Sequence, residues 1–308
     1  MKNYFVPGQK CHCTPNQVGR CIVKAGSFTR KEGLVRVQRY RCLVCSKRFS
    51  DATGTLDYRQ QKRMLNIRIF WAFNSNVSMR RISLETGLSK NTIAKRLLYF
   101  SKVAHIHHKE FLKHRRPSNF VQFDDMESFE HSKLKPLSMP IAVDANTREI
   151  LSFDVAGMPA KGPLAAHSIK KYGRRTDERN EAWYSTLEST KSSCITLVTI
   201  LTDKHRMYPK VIQKCIPKSK HITVKGRKPR SAGQGELKRG RFDPMFSFNH
   251  TAAMYRANVS RLIRKTWCTT KKKENLKHHM MIYIMWHNEN IRARSLAGKT
   301  ILKFELNS

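Results

Sequence analysis

Residues 117–225 combine two hydrophobic patterns, and this combination restricts the possible folds more than any other feature of the sequence. Three successive segments alternate apolar and polar side chains, which predicts three antiparallel strands at 120–129, 137–144 and 150–155. Helical patterns follow at 163–172 and 181–190. The next segment, 195–201, is apolar throughout and rich in β-branched residues, which predicts a buried strand at the centre of the sheet.

This order of elements is typical of a ribonuclease-H-like fold, and it predicts an α/β catalytic domain over residues 117–308. In such a fold the first strand and the later apolar strand lie side by side. Asp124 in the first strand and Asp203 after the apolar strand can then reach the same cation. Converging carboxylates repel one another, and Mg²⁺ or Mn²⁺ would compensate their charge. Paired metal ions can hold the attacking and leaving oxygens of a phosphodiester in line.

The first strand offers two further acids, Asp125 and Glu127, as rivals to Asp124. Side chains in a strand point alternately to its two faces, so Gln122, Asp124 and Met126 share a face that Asp125 does not. The alternation favours Asp124.

The charge of the chain is segregated along the sequence. Lys and Arg outnumber Asp and Glu by 60 to 22, and the formal net charge is +38. Residues 1–120 and 204–308 each carry a net charge of +20, whereas residues 121–203 carry −2. Such a balance predicts a nucleic-acid partner, DNA or RNA. No apolar run reaches the roughly 20 residues that span a bilayer, and the N-terminus has no apolar signal segment, so the expected location is the cytoplasm, in association with the nucleoid.

The first 52 residues are predicted to form a zinc ribbon. Cys42 and Cys45 make a C-x-x-C pair between strand-like segments, and two thiolates at this spacing can bind one Zn²⁺. A second pair must come from upstream. Cys11 and Cys13 are the preferred pair, with Cys21 in reserve because it opens an apolar strand. A structural zinc ion would stabilise a segment that is too small to fold on its own core.

Residues 53–116 are predicted to form a helical DNA-binding domain with a helix-turn-helix. Ile82 points inward from the first helix, Gly87 makes the turn, and Ser89 caps a second helix that buries Ile93 and Leu97. The second helix is expected to present a polar, basic face to phosphates and base edges in a major groove. The residues of this face are Lys90, Asn91, Thr92, Lys95 and Arg96.

The C-terminal region is strongly basic. A glycine-rich loop at 226–240 has the composition of a flexible DNA-contacting segment. A helix is predicted from residue 249 to 267 and a second from about 272 to 288, the second with an apolar stripe. The predicted DNA-binding face of the first helix consists of Arg256, Arg261, Arg264 and Lys265.

Taken together, the chain resembles bacterial insertion-sequence transposases of the DDE class, and among them the insertion-sequence-one type with fused zinc ribbon and helix-turn-helix. The likeness covers nearly the whole chain and rests on residues 40–49, Asp124 with Ser128 and Phe129, Thr202 and Asp203 with Tyr208, and residues 261–266 with Lys271 and Asn288. The resemblance implies Mg²⁺-dependent strand cleavage and strand transfer, DNA ends and target DNA as partners, and a homo-oligomer on DNA.

The sequence departs from that family at one position. The family has a glutamate upstream of the Arg-Leu-x-Arg-Lys-Thr segment, whereas this chain has Asn249 followed by His250. Either could ligate or position a cation through neutral atoms, and Glu236 or Asp243 are the nearby acids that could substitute. The third ligand is therefore open. An alternative function is a catalytically inactive, transposase-derived DNA-binding regulator, and a third is a nuclease acting on hybrids or junctions.

Overall fold

The structure, a computed structural model of the 308-residue chain, describes residues 21–30, 34–225, 243–263 and 268–297, with side chains to residue 292. Several predicted residues lie outside these ranges, namely Cys11, Cys13, Glu236, Arg264, Lys265 and the loop 226–240. The chain divides into two compact units, residues 1–69 and residues 70–308. This division does not follow the predicted boundaries after residues 52 and 116, and the three-domain organisation stays a prediction.

The smaller unit contains a three-stranded antiparallel sheet, with β1 (Ile22–Thr29), β2 (Arg36–Cys42) and β3 (Arg48–Ser50) in that order. Ile22, Tyr40 and Phe49 form its hydrophobic cluster, and the Tyr40 and Phe49 rings stack with centroids 5.7 Å apart. Within the described residues this cluster is small, and small folded units usually need an additional constraint.

Three helices precede the larger sheet. Helix α1 (Asn66–Phe73) is followed by α2 (Met79–Thr86) and the 25-residue α3 (Lys90–His114). Gly87 ends α2 with a φ of 66°, a left-handed conformation that glycine adopts without steric cost, and the Ser89 hydroxyl accepts the Thr92 N–H at 3.2 Å. Ile82, Ile93 and Leu97 are buried, as the sequence predicts.

The larger unit has a mixed α/β fold built on a mixed sheet. The strands are β4 (Ser118–Phe129), β5 (Pro136–Asp144), β6 (Ile150–Phe153), β7 (Ala156–Gly157), β8 (Cys194–Thr202) and β9 (Lys220–Thr223). The spatial order is β6-β5-β4-β8-β9, with β7 paired to β5. β4, β5 and β6 are antiparallel, whereas β8 and β9 run parallel to β4. The predicted adjacency of the first strand and the later apolar strand is confirmed.

Helices cover both faces of this sheet. The helices of this part of the chain are α4 (Leu164–Tyr172), α5 (Arg179–Lys191), α6 (Tyr208–Cys215), α7 (Phe246–Asn258) and α8 (Lys273–Ala297). Of these, α5 and α6 pack on one face of the sheet and α7 packs on the other. On one face Val121 and Phe123 pack with Trp183 of α5 and Val211 of α6. The alternate residue Gln122 points to the other face, where its Oε1 accepts the Phe248 N–H of α7 at 2.7 Å. None of the helices described is an apolar segment of bilayer-spanning length.

Two sequence predictions about burial and helix length are wrong. Segment 195–201 is not buried on both faces, because the side chains of Ile195 and Leu197 are 41 % and 73 % exposed. They point to the face opposite Val198 and Ile200, and only that second face is packed against α5 and α6. The helix predicted over 249–267 ends at Asn258, and a short 3₁₀ turn follows at Ser260–Leu262.

Candidate active site

The parallel pairing of β4 and β8 brings Asp124 and Asp203 to the same level of the sheet. Gln122 pairs with Leu201, and each aspartate lies two residues further along its strand direction. Asp124 is inside β4, and Asp203 is the first residue after β8. Side chains two residues apart in a strand share a face, so Asp124 points to the face on which α7 packs against Gln122. The two acids predicted from the sequence are therefore neighbours.

The surroundings of Asp124 disfavour its ionised form. Burial, and then the charge of Asp203, raise the pKa of Asp124 to about 7. Two hydrogen bonds act in the opposite direction and orient the carboxylate, since Oδ1 accepts the Tyr208 hydroxyl at 3.1 Å and the Asp125 N–H at 2.7 Å. A half-buried carboxylate beside a second carboxylate is the arrangement that a divalent cation stabilises.

Asp203 is held by the turn that follows β8. Its Oδ1 accepts the backbone N–H of His205 at 2.9 Å, which fixes the side chain relative to the strand end. The Thr202 hydroxyl donates to the Asp203 carbonyl oxygen at 2.7 Å and lies 2.9 Å from Nε2 of His221 in β9. The end of β8 is thereby tied both to the turn and to the next strand.

The rival acids have other partners. Asp125 points to the opposite face, where it accepts the Ser138 hydroxyl at 2.8 Å and the Trp183 indole N–H at 2.9 Å. Burial raises the pKa of Asp125 to about 6, whereas these donors lower it. Glu127 is exposed and lies 3.5 Å from Lys161. These contacts favour Asp124 as the acid of β4 that faces Asp203.

An aromatic cluster supports the pair, and the sequence reasoning missed most of it. The Trp183 ring lies 5.1 Å from His205 and 5.4 Å from Tyr208, and the His205 and Tyr208 rings are 4.8 Å apart. Tyr208 was singled out only as part of the family resemblance. The sequence around Trp183 and around His205 contains no pattern that predicts their contacts. These residues come from α5, the turn after β8 and α6, so only the tertiary structure brings them together.

Of the candidates for the third ligand, Asn249, His250 and Asp243 are described, and they lie in and just before the first turns of α7. The Asn249 amide donates to Oδ2 of Asp243 at 2.9 Å, and Oδ1 of Asp243 accepts the Met245 N–H at 2.9 Å. The His250 ring lies 5.7 Å from the Phe246 ring and lines a cavity of about 490 Å³. Among the residues that the structure describes, no three His, Cys, Asp or Glu side chains form a metal-binding group. The structure thus brings two carboxylates together and joins Asn249 to Asp243.

The predicted DNA-binding residues differ in exposure. Lys90, Asn91 and Lys95 are exposed, whereas the Thr92 hydroxyl lies 2.9 Å from the Ser89 hydroxyl in the cap of α3. Arg96 is only 2 % exposed, so its predicted place on the exposed basic face of this helix is wrong. The reason is helical spacing, because Ile93, Leu97 and Phe100 share its face. In the C-terminal region Arg256 and Arg261 are both half-buried, and Arg261 lies in the 3₁₀ turn rather than on a helix.

The predicted zinc ligands in the described part of the smaller unit lie at one end of its sheet. Cys42 is buried at the end of β2 and Cys45 is exposed in the following turn. Cys21 is adjacent to them, since its carbonyl oxygen accepts the Leu43 N–H at 2.7 Å and its neighbour Ile22 pairs with Cys42. Zinc binding itself stays a prediction.

Neither a protein-family model nor a curated protein matches the sequence. The catalytic domain of Mos1 mariner transposase is similar in structure at 12 % identity, covering 67 % of this chain and 95 % of that one with a TM-score of 0.24. The Mos1 strand transfer complex matches at 10 % identity, covering 79 % and 81 %, with a TM-score of 0.23. A simian T-cell lymphotropic virus intasome in complex with a PP2A regulatory subunit matches at 12 % identity, covering 78 % and 76 %, with a TM-score of 0.19. The strand order described above, and not these matches, defines the fold.

Proposed function

We propose that this chain is a DNA transposase of the DDE class that cleaves and transfers DNA strands of an insertion element with the help of Mg²⁺ or Mn²⁺. The observation that carries the proposal is the pair Asp124 and Asp203 at one level of adjacent parallel strands, in a sheet whose order is that of a ribonuclease-H-like fold. The net charge of +38 supports a polyanionic substrate.

The carboxylates of Asp124 and Asp203 fit a divalent cation. Both are oxygen ligands, the preferred type for Mg²⁺, and the burial that raises the pKa of Asp124 is a cost that a bound cation would offset. When bound, Mg²⁺ supplies polarisation of the scissile phosphate and activation of an oxygen nucleophile. The third ligand stays open among Asn249, His250, Asp243 and Glu236.

The neighbouring residues of this chain position the two acids. The Tyr208 hydroxyl orients Asp124 and the His205 N–H orients Asp203. On the reverse face, Asp125 links β4 to α5 through Trp183, which fixes the strand that carries Asp124. We infer that this scaffold holds the carboxylates before substrate binds, so that little reorganisation is needed during the reaction.

The amino-terminal part would recognise DNA. In this proposal a zinc ribbon and the helices α2 and α3 bind the element ends, with Lys90, Asn91 and Lys95 facing the duplex. A second copy of the chain on the same DNA would be needed to join two ends, so a homo-oligomer on DNA is part of the proposal.

The test is strand cleavage by Asp203→Asn. We expect the variant to lose cleavage of a duplex in Mg²⁺ or Mn²⁺. Its affinity for the same duplex should stay within about twofold, because one acid is changed and the basic residues that contact phosphates are not. Asp154→Asn is the matched control, since Asp154 also follows a strand but pairs with Lys277 at 2.6 Å. Nicking by Asp203→Asn at the rate of the unmodified protein would refute the assignment.

The second candidate is a DNA-binding regulator without catalytic activity. It is favoured by Asn249 at the position of the family's glutamate and by its hydrogen bond to Asp243. Titration of the purified protein with Mg²⁺ and with Mn²⁺ separates the two functions. A regulator binds duplex DNA but produces no nicked product at any metal concentration.

A further inference from the structure

A cavity of about 450 Å³ lies between the start of α2 and the segment that joins α7 to α8. Neither Asp124 nor Asp203 is among its lining residues. Two backbone segments meet there, because the Asn76 N–H donates to the Asn258 carbonyl oxygen at 2.7 Å. The lining residues that the structure describes are Ser78, Met79, Arg80, Ser260, Arg261, Cys268, Thr269 and Lys271.

The described lining of this cavity is cationic. It contains Arg80, Arg261 and Lys271 and no Asp or Glu. Arg80 and Lys271 are exposed at the rim, and Lys271 Nζ donates to the Thr269 hydroxyl at 3.1 Å. Three positive charges around one concave space repel one another unless an anion is present.

Arg261 is the residue of this lining that most strongly indicates an anionic ligand. Its Nη2 contacts the thioether sulfur of Met79 at 3.1 Å, and a thioether is a weak acceptor. Within the described ranges, no carboxylate forms an ion pair with Arg261. Burial lowers the pKa of Arg261, and a half-buried guanidinium is normally compensated by an acceptor with charge.

The start of α2 adds neutral donors to the same space. Ser78 caps the eight-residue helix by accepting the Arg81 N–H at 3.4 Å. The N–H groups of Met79 and Arg80, in the first turn, have no acceptor within the helix. The helix dipole places partial positive charge at this end. A tetrahedral anion with several acceptor oxygens suits this combination of donors.

We propose that this pocket binds one phosphate of the DNA backbone, an inference that rests on the proposed function. The phosphodiester reaches Arg261 between the exposed side chains of Arg80 and Lys271. One side of the pocket belongs to α2, which directly precedes the helix with the predicted DNA-reading residues, and the other belongs to the segment after α7. A phosphate bound there would contact both the start of α2 and the segment after α7.

The test is the salt dependence of duplex binding by Arg261→Gln and by Lys271→Gln. We expect each variant to bind random-sequence duplex about tenfold more weakly near 0.1 M salt, with a slope of log K against log salt that is smaller by about 1. Arg261→Lys should restore most of the slope. Lys191→Gln is the control, because Lys191 is exposed and already lies 3.6 Å from Glu188. Thermal unfolding shows which variants are folded, and Lys271→Gln, at an exposed position, tests the pocket even if Arg261→Gln is unstable.

A second arm separates DNA from free phosphate. Inorganic phosphate is added at constant ionic strength, and the Tm of the unmodified protein and of Arg261→Gln is measured without DNA. A Tm increase confined to the unmodified protein, together with unchanged DNA slopes, would assign the pocket to a free anion and overturn the proposal. Folded variants that bind duplex as the unmodified protein does would also overturn it. Failure of the unmodified protein to bind any duplex is a different result, because it would refute the proposed function itself.

Discussion

At the scale of single residues, Asp124 illustrates how a site can reduce the stability of the fold that carries it. Its carboxylate is half-buried beside Asp203, and the Tyr208 hydroxyl and Asp125 N–H offset only part of the cost of removing it from water, since the pKa is raised to about 7. A raised carboxyl pKa favours the folded state below about pH 4 and loses that contribution as the pH rises through about 7. At pH 8 the ionised Asp124 therefore destabilises the fold.

We expect Asp124→Asn to raise the Tm of the metal-free protein at pH 8, by roughly 2–4 °C for each kcal/mol of relieved repulsion. Calorimetry in EDTA and then in Mn²⁺ measures it. Mn²⁺ should stabilise the unmodified protein and leave the variant unchanged, because a ligand stabilises only a state that binds it. A Tm in EDTA below that of the unmodified protein would contradict this account of Asp124.

At the scale of elements, α3 has an exposed face and a buried face, and adjacent residues lie on each of them. Lys95 is exposed, whereas its neighbour Arg96 lies on the buried face with Ile93 and Leu97. The helix continues to His114 and packs along α8, with the Ser101 hydroxyl 2.8 Å from Nδ1 of His278. The buried face of α3 therefore belongs to the core of the larger unit, and only the exposed face is available to DNA.

Substitution of these two neighbours should separate DNA binding from stability. We expect Lys95→Gln to weaken duplex binding and reduce the salt slope by about 1 while its Tm stays unchanged. Arg96→Gln should instead lower the free energy of unfolding by about 1–3 kcal/mol, because a buried hydrogen-bonding group is replaced. Urea denaturation and fluorescence anisotropy with a labelled duplex measure the two effects. Equal losses of affinity at unchanged Tm would mean that Arg96 also reaches DNA.

At the scale of the whole molecule, two buried histidines make the larger unit sensitive to acid. Burial lowers the pKa of His108 to about 4, and the pKa of His279 to about 3. Each Nε2 lies within hydrogen-bonding distance of a carbonyl oxygen, 3.0 Å from Leu151 for His108 and 2.8 Å from Phe73 for His279. With folded pKa values below the ordinary 6.5, both residues contribute stability that is present above pH 6.5 and lost as the pH falls.

The His108 contribution should appear as a difference between two variants. Between pH 7.5 and 4.5 we expect the unmodified protein to lose about 2–3 kcal/mol more unfolding free energy than His108→Gln, whose amide can still donate to Leu151 but does not titrate. Urea denaturation at both pH values provides the measurement. His167→Gln, at an exposed position on α4, is the control and should behave as the unmodified protein. A parallel loss in His108→Gln would show that other groups cause the acid sensitivity.

In the smaller unit, the hydrophobic cluster of the described residues is small and consists of Ile22, Tyr40 and Phe49. We expect the purified full chain to contain about one zinc ion, and Cys45→Ser to lose it, because a structural zinc site needs four ligands. Metal analysis by mass spectrometry measures the content. Cys194→Ser, in the larger unit, should keep its zinc. Zinc-free, folded protein with intact cysteines would exclude the zinc ribbon.

The local features of this protein could be predicted from the sequence because they depend on near neighbours. Gly87 and Ser89 define the ends of α2 and α3 through backbone conformation and one cap, and alternation along β4 separates Asp124 from Asp125. These are consequences of φ and ψ preferences and of the strand period, and neither requires knowledge of what packs against the element.

Only the tertiary structure decided what each surface faces. Leu197 is exposed because none of the described helices packs on its side of the strand. The contact of Arg261 with Met79 joins residues far apart in the chain, and the hydrogen bond of Asn249 to Asp243 depends on how the chain enters α7. The sequence predicted Asp124 and Asp203 as the catalytic acids. Whether they lie side by side depends on the register of β4 with β8. That register is set by packing across the sheet, because backbone hydrogen bonds alone would permit several registers.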